Sequence, residues 1–139
     1  MAKKIAEVMS SNPCAIDADK PVAYAAKMMK DEDVGLAPVV EGDRLVGTLT
    51  DRDIVTRVVA EGKDMQTVIV REVASKDLVT IDPQEDLDEA LRLMARNQVR
   101  RLAVVEEDGR LVGVVAQADV AREAKDKQTG DVVEQISEG

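Results

Sequence analysis

The sequence predicts a mixed α/β (α+β) fold built from two repeats related by a pseudo-two-fold. Each repeat is ordered strand–helix–strand–strand–helix, with a small sheet packed against helices. Three observations predict it. The stretch Leu45 to Asp53, Leu-Val-Gly-Thr-Leu-Thr-Asp-Arg-Asp, returns in degraded form as Leu111 to Asp119, Leu-Val-Gly-Val-Val-Ala-Gln-Ala-Asp. The flanking patterns match at a steady spacing, 65 residues from Pro13/Leu78 onward and 66 from Arg44/Arg110 onward, with Gly109 as the inserted residue. An insertion confined to a turn is what a duplicated unit tolerates. Apolar residues make up 45% of the 139, enough for two small halves to bury a shared core.

The elements follow in order. Lys4 to Met9 reads as a helical turn with Ile5, Val8 and Met9 on one side, broken by Asn12-Pro13. Cys14 to Ile16 reads as a brief strand. Asp17 to Pro21 carries helix-start signals. Val22, Ala25, Ala26 and Met29 then fall on one helical face, and the helix ends near Asp31 to Val34. Leu36 to Val40 is a strand, Glu41-Gly42-Asp43 a hairpin turn, and Arg44 to Leu49 the return strand. Thr50 opens a second helix expected to bury Ile54, Val55, Val58 and Val59, and Gly62 ends it. A short helix is expected near Val68 to Val73. The order then restarts. Leu78 to Ile81 matches Pro13 to Ile16, and Leu87, Ala90, Leu91 and Met94 repeat the first helical face. Thr129 to Ile136 reads as a short terminal helix. The domain limits drawn from this are 1–62 for the first repeat, 63–75 for a linker, 76–126 for the second repeat and 127–139 for the tail.

Composition excludes several chemistries. The chain has no histidine, which removes His-based acid–base catalysis and His-type metal sites. Tyr24 is the only aromatic and the formal net charge is −9, so neither base stacking nor a broadly basic surface supports nucleic-acid binding. No apolar run reaches membrane-span length, and the start does not read as a secretory signal. One cysteine fits a reducing cytoplasm, where the protein is expected. No nucleophile–base pair, metal cluster or phosphate loop appears, so an enzyme is not expected.

The recurring stretch carries the chemistry. Gly47 removes a side chain near the strand–helix junction, which would let a ligand approach the backbone. Thr50 is a candidate helix N-cap whose hydroxyl could donate to a phosphate. Asp53, on the first helical turn, could accept hydrogen bonds from vicinal ribose hydroxyls. Thr-x-x-Asp at a helix start is also a capping box that needs no ligand, and both readings stay open. Cys14 reads as a small buried apolar residue, with redox sensing as the alternative. The acidic runs at Asp31 to Asp33 and Glu106 to Asp108 read as solvated surface.

On Val46 to Ile54 and Val112 to Val120, with the strand preludes Leu36 to Val40 and Arg101 to Val105, the chain resembles a stand-alone tandem CBS-domain pair, or Bateman module. The resemblance runs from about Val8 to Ala124. It implies a non-enzymatic sensor that holds an adenosine-containing ligand of the AMP, ADP or ATP class in the cleft between repeats. S-adenosylmethionine and NAD are alternatives. It implies one site of Thr50 and Asp53 with Leu78 and Val79 lining the base. It implies another of Asp119 with Pro13 and Cys14 lining the base, and Arg101, next to Arg100, contacting phosphate. Two departures stand out. The second motif has Ala116 in place of Thr50, and the first repeat has Gly35-Leu36 in place of Arg100-Arg101. A homodimer through the helices is implied too, together with an effector protein outside this sequence. The competing reading is a ligand-free interaction scaffold in which the motifs serve only as caps.

Overall fold

The computed structural model describes residues 3–11 and 13–124. The first repeat contains β1 (Ile16–Asp17), α1 (Val22–Asp31), β2 (Leu36–Glu41), β3 (Arg44–Thr50) and α2 (Asp51–Ile54), which runs into a π-helical turn at Val55–Val59. After α3 (Val70–Val73) come β4 (Thr80–Ile81), α4 (Leu87–Asn97), β5 (Arg101–Val105), β6 (Leu111–Ala116) and α5, residues 117–124. A 3-10 turn, Ile5–Glu7, precedes them all. The expected terminal helix at Thr129 to Ile136 lies outside the described residues. Among the described residues no helix is long and apolar enough to cross a membrane.

Two three-stranded sheets form, in the orders β1-β2-β3 and β4-β5-β6. In the first, β1 runs parallel to β2 and β2 antiparallel to β3, with a register shift between Val39 and Val40. Pro38 sits in the central strand opposite Thr48, a place where a missing N–H would normally break the ladder. Here it breaks nothing. Thr48 directs both of its backbone groups to Ser75, and β1 pairs only from Val39 onward.

Two lead-in segments, one before each repeat, follow the same path. The segment ahead of the second repeat, Val68 to Ser75, packs with the first repeat. Val70 N–H donates to Lys20 C=O (2.9 Å), Arg71 N–H to Ala18 C=O (2.9 Å), and Ser75 exchanges hydrogen bonds with Thr48 (2.8 and 3.0 Å). Val68, Val70 and Val73 join the first core, with Ile16, Val22, Met29, Val39, Leu49 and Val58. The segment ahead of the first repeat, Lys3 to Ser10, packs with the second repeat by the equivalent bonds. Ile5 N–H donates to Glu85 C=O (2.8 Å), Ala6 N–H to Pro83 C=O (2.9 Å), and Ser10 exchanges bonds with Val114 (2.9 and 3.1 Å). Ile5 is buried in the second core, with Ile81, Leu87, Met94, Leu102, Val104 and Val115. Among the described residues, one compact unit thus holds residues 3–11, Val79–Val104 and residues 112–124. The other holds the first repeat through Leu78, together with Val105–Leu111. The Arg71 guanidinium lies between Asp19 (2.8 Å) and Glu41, and these hydrogen bonds push its pKa up.

The expected faces of α1 and α4 form: Val22, Ala25 and Met29 are buried in one, Leu87, Ala90 and Met94 in the other. The second helix of the first repeat corrects the expectation. Ile54 and Val58 are buried, but Val55 and Val59 are each 57% exposed. Along a π turn closed by Ala60 N–H on Val55 C=O at 2.8 Å, Ile54 and Val58, four residues apart, share one helical face and pack in the first core. Val55 and Val59, each one residue further round, point away from it.

Candidate functional site

In the first repeat, β3 runs straight into α2 at Thr50, whose extended backbone (φ −111, ψ 160) makes it the N-cap. Its hydroxyl oxygen accepts from Asp53 N–H at 3.0 Å, and its own N–H donates to Asp53 Oδ2 at 3.0 Å. The capping box is therefore real. It leaves the Thr50 hydroxyl proton and Asp53 Oδ1 available to a ligand. The Asp53 side chain is 16% exposed, so what it does offer is directed. One further residue touches it, and the motif reading missed it. Arg57 Nε stands 3.8 Å from Asp53 Oδ1, while Arg57 Nη1 donates to Val73 C=O at 2.9 Å. The i, i+4 spacing of an acid ahead of a base was the available signal. Arg52, the arginine of the first motif that could stand in for the missing phosphate cation by pointing inward, is exposed.

Gly47 does not do what was expected of it. A Cβ there would stand 2.9 Å from Ser75 C=O and 3.4 Å from Ala74 Cβ. The missing side chain admits the connector backbone rather than a ligand. At Gly113, a Cβ would lie 2.6 Å from Met9 Sδ and 2.8 Å from Ser10 C=O. Beside α2, Ala26, Met29 and Asp33 with Gly35, Asp51 and Val55 line a groove of about 470 Å³.

In the second repeat, Ala116 stands at the cap position and offers no hydroxyl. Gln117 N–H donates to Arg100 C=O at 2.7 Å, the counterpart of Asp51 N–H on Gly35 C=O at 3.0 Å. That bond holds the start of β5 against the start of α5. Arg100 and Arg101 consequently share a groove of about 610 Å³ with Leu91, Ala116, Gln117 and Ala118. Neither arginine has an ion-pair partner among the described residues. Asp119 follows on the first turn of α5, half-buried, with Arg122 Nη2 at 3.4 Å from its Oδ1. The two grooves differ in charge: two arginines and no acid line the second, whereas Lys30, Asp33 and Asp51 line the first.

The structure thus brings Thr50 together with Asp53, and Arg100 and Arg101 together with the second motif. Leu78 and Val79, ahead of β4, and Pro13 and Cys14, ahead of β1, are all half-buried. Burial pushes the Cys14 thiol up, and the Glu32 carboxylate adds to the shift.

A family model described as CBS domain matches the chain twice, over residues 5–60 and 70–126. The CBS domain-containing protein YhcV of Bacillus subtilis is 39% identical over 134 residues, covering 96% of this chain and 94% of its own. Hypoxic response protein 1 of Mycobacterium tuberculosis is 37% identical over 117 residues, covering 84% of this chain and 81% of its own. A crystal structure of Hypoxic Response Protein I with two coordinated zinc ions superimposes with a TM-score of 0.79 at 36% identity, covering 86% of this chain and 98% of that one. The CBS domain pair of protein MJ0100, in complex with 5′-methylthioadenosine and S-adenosyl-L-methionine, has a TM-score of 0.78 at 23% identity. It covers 91% of this chain and 99% of its own, a likeness of fold. With two successive matches over most of its length, and a relative 39% identical along 94% of its own, the chain belongs to the CBS domain family and carries two CBS domains in tandem.

Proposed function

We propose that the chain is a non-enzymatic regulatory module that binds an adenosine-containing ligand of the AMP, ADP or ATP class. The observation that carries this reading is the second motif. Two arginines without acidic partners share a groove with the start of α5, one turn from the Asp119 carboxylate. Charge-assisted hydrogen bonds from arginine suit a phosphate, and a carboxylate suits a ribose diol. The first motif offers Asp53 with the Thr50 hydroxyl, and the groove beside α2, which neither of them lines, holds no arginine. On that difference the phosphate-bearing ligand favours the second motif, and the first takes a less anionic adenosyl group. MJ0100 carries two such adenosyl ligands. The base contacts assigned to Leu78, Val79, Pro13 and Cys14 belong to the same proposal. No metal or redox cofactor is part of it. Binding would shift a surface read by an effector protein, through differential affinity for two states.

A thermal-shift panel with AMP, ADP, ATP, S-adenosylmethionine and NAD tests this. A bound ligand at one hundred times its Kd stabilises by about 2.7 kcal/mol. Asp119→Ala and Arg101→Ala should abolish the shift from the phosphate-bearing ligand, and Asp53→Ala the shift from the second ligand. No shift with any of the five would sink the reading.

A second reading rests on a different observation. The capping box is complete without a ligand, and Val55 and Val59 leave apolar surface uncovered. A ligand-free homodimer built on that face fits both facts. Light scattering on Val55→Asp plus Val59→Asp would show a monomer where the parent chain is a dimer, and an unchanged mass would exclude this face.

A further inference from the structure

Arg57 touches both the Asp53 carboxylate and the connector. Its Nη1 donates to Val73 C=O at 2.9 Å, at the end of α3, where the last carbonyls have no helical partner. Two residues on, Ser75 is bonded to Thr48 on β3, the strand that leads into Thr50 and Asp53. With its guanidinium anchored on Val73, Arg57 stays 3.8 Å from Asp53 Oδ1, outside hydrogen-bond range. Oδ2 is already taken by Thr50 N–H at 3.0 Å, so Oδ1 is the oxygen left to accept from a ligand. The other repeat lacks this arrangement. Glu123 occupies the position equivalent to Arg57, and Lys3 holds it at 2.7 Å.

We propose that Arg57 is a positioning residue that makes ligand binding at Asp53 depend on the docked connector, Val70 to Ser75. Docked, the connector holds the guanidinium back and Oδ1 stays open. Released, Arg57 shortens its 3.8 Å ion pair with Oδ1 to a direct hydrogen bond and competes with the ligand. Linkage then requires the reverse effect, a ligand on Asp53 tightening the connector. The idea rests on the ligand reading above, for the first motif only.

The test uses the full chain, with S-adenosylmethionine, the adenosyl ligand without phosphate, as probe and hydrogen exchange at Ala74 and Ser75 as the second readout. Without the probe, Arg57→Met should speed exchange of these amides roughly tenfold, the loss of one charge-assisted hydrogen bond. Asp53→Asn should leave that exchange unchanged. With S-adenosylmethionine, the parent chain should slow it. Ser75→Pro, which removes the N–H bonded to Thr48, should weaken S-adenosylmethionine binding at the Asp53 motif, read in an Asp119→Ala background. Adding Arg57→Met should restore most of that affinity, whereas a purely structural Arg57 would leave the double variant weaker still. Retained S-adenosylmethionine binding with unaltered amide exchange in Arg57→Met would overturn the coupling alone. No S-adenosylmethionine binding at Asp53 in the parent chain would overturn the coupling together with the ligand reading for that motif.

Discussion

The carbonyl oxygen of Ser75 lies 2.9 Å from the point a Cβ on Gly47 would occupy. The contact is with backbone, which cannot rotate aside. Gly47→Ala should therefore force the connector off β3 and destabilise by about 1–3 kcal/mol. Gly113→Ala, against Ser10 C=O and Met9, should cost a similar amount. Urea denaturation of both variants checks this, and a neutral Gly47→Ala would mean that the connector yields freely.

The reciprocal hydrogen bonds of Thr50 and Asp53 predict an opposite pair of effects. Thr50→Ala should destabilise by about 0.5–2 kcal/mol through the lost cap. Ala116→Thr should place a hydroxyl three residues ahead of Asp119 and stabilise by about 1 kcal/mol. Chemical denaturation measures both, and loss of stability in Ala116→Thr would show that α5 cannot take this cap.

The orientation of the second helix can be read from two valines. Val58 is fully buried and Val55 is 57% exposed. Val58→Ala should cost about 2 kcal/mol, the transfer of two methyl groups plus a cavity. Val55→Ala should stay within about 0.5 kcal/mol in the monomer. Equal costs would indicate that the helix is turned differently.

Cys14 supplies a pH dependence. Burial and, to a lesser degree, Glu32 raise its thiol pKa in the folded chain. The folded state then holds the proton more tightly than the unfolded state. Its contribution to stability is complete below the ordinary thiol pKa and is lost as pH rises through the raised one. Alkylation by iodoacetamide should show a midpoint above that of a cysteine peptide. Glu32→Gln should lower that midpoint only in part, because burial is the larger cause. A midpoint at or below the peptide value would contradict the placement of the thiol.

Most of the architecture was legible because it is periodic. The helical faces at Val22, Ala25 and Met29 and at Leu87, Ala90 and Met94 follow from spacing alone. Val55 and Val59 did not, because an apolar residue one position round a helix looks the same in sequence whether it faces core or solvent. The role of Gly47 was illegible for another reason. Its neighbour Ser75 is distant in sequence, and only the docked connector shows why no side chain fits. The candidate site was half legible. Thr50 and Asp53 were singled out from the motif and Arg100 and Arg101 from the resemblance, while Arg57 is reached only through Val73, a backbone carbonyl that no side-chain pattern reports.

The two lead-in segments are exchanged. Residues 3–10 cover the second repeat, and residues 68–75 cover the first. The span that recurs in the sequence is therefore not the span that packs together. Cutting the chain after Gly62 would free a first half whose Gly47 has lost its cover and whose core has lost Val68, Val70 and Val73. It would also leave the second half without Ile5. A single ancestral repeat would have faced the same deficit and could relieve it by lending its lead-in to another copy, as in a domain-swapped pair. Joining two such copies end to start keeps the exchange within one molecule, and the repeat inherited by duplication stays one segment out of step with the unit that folds.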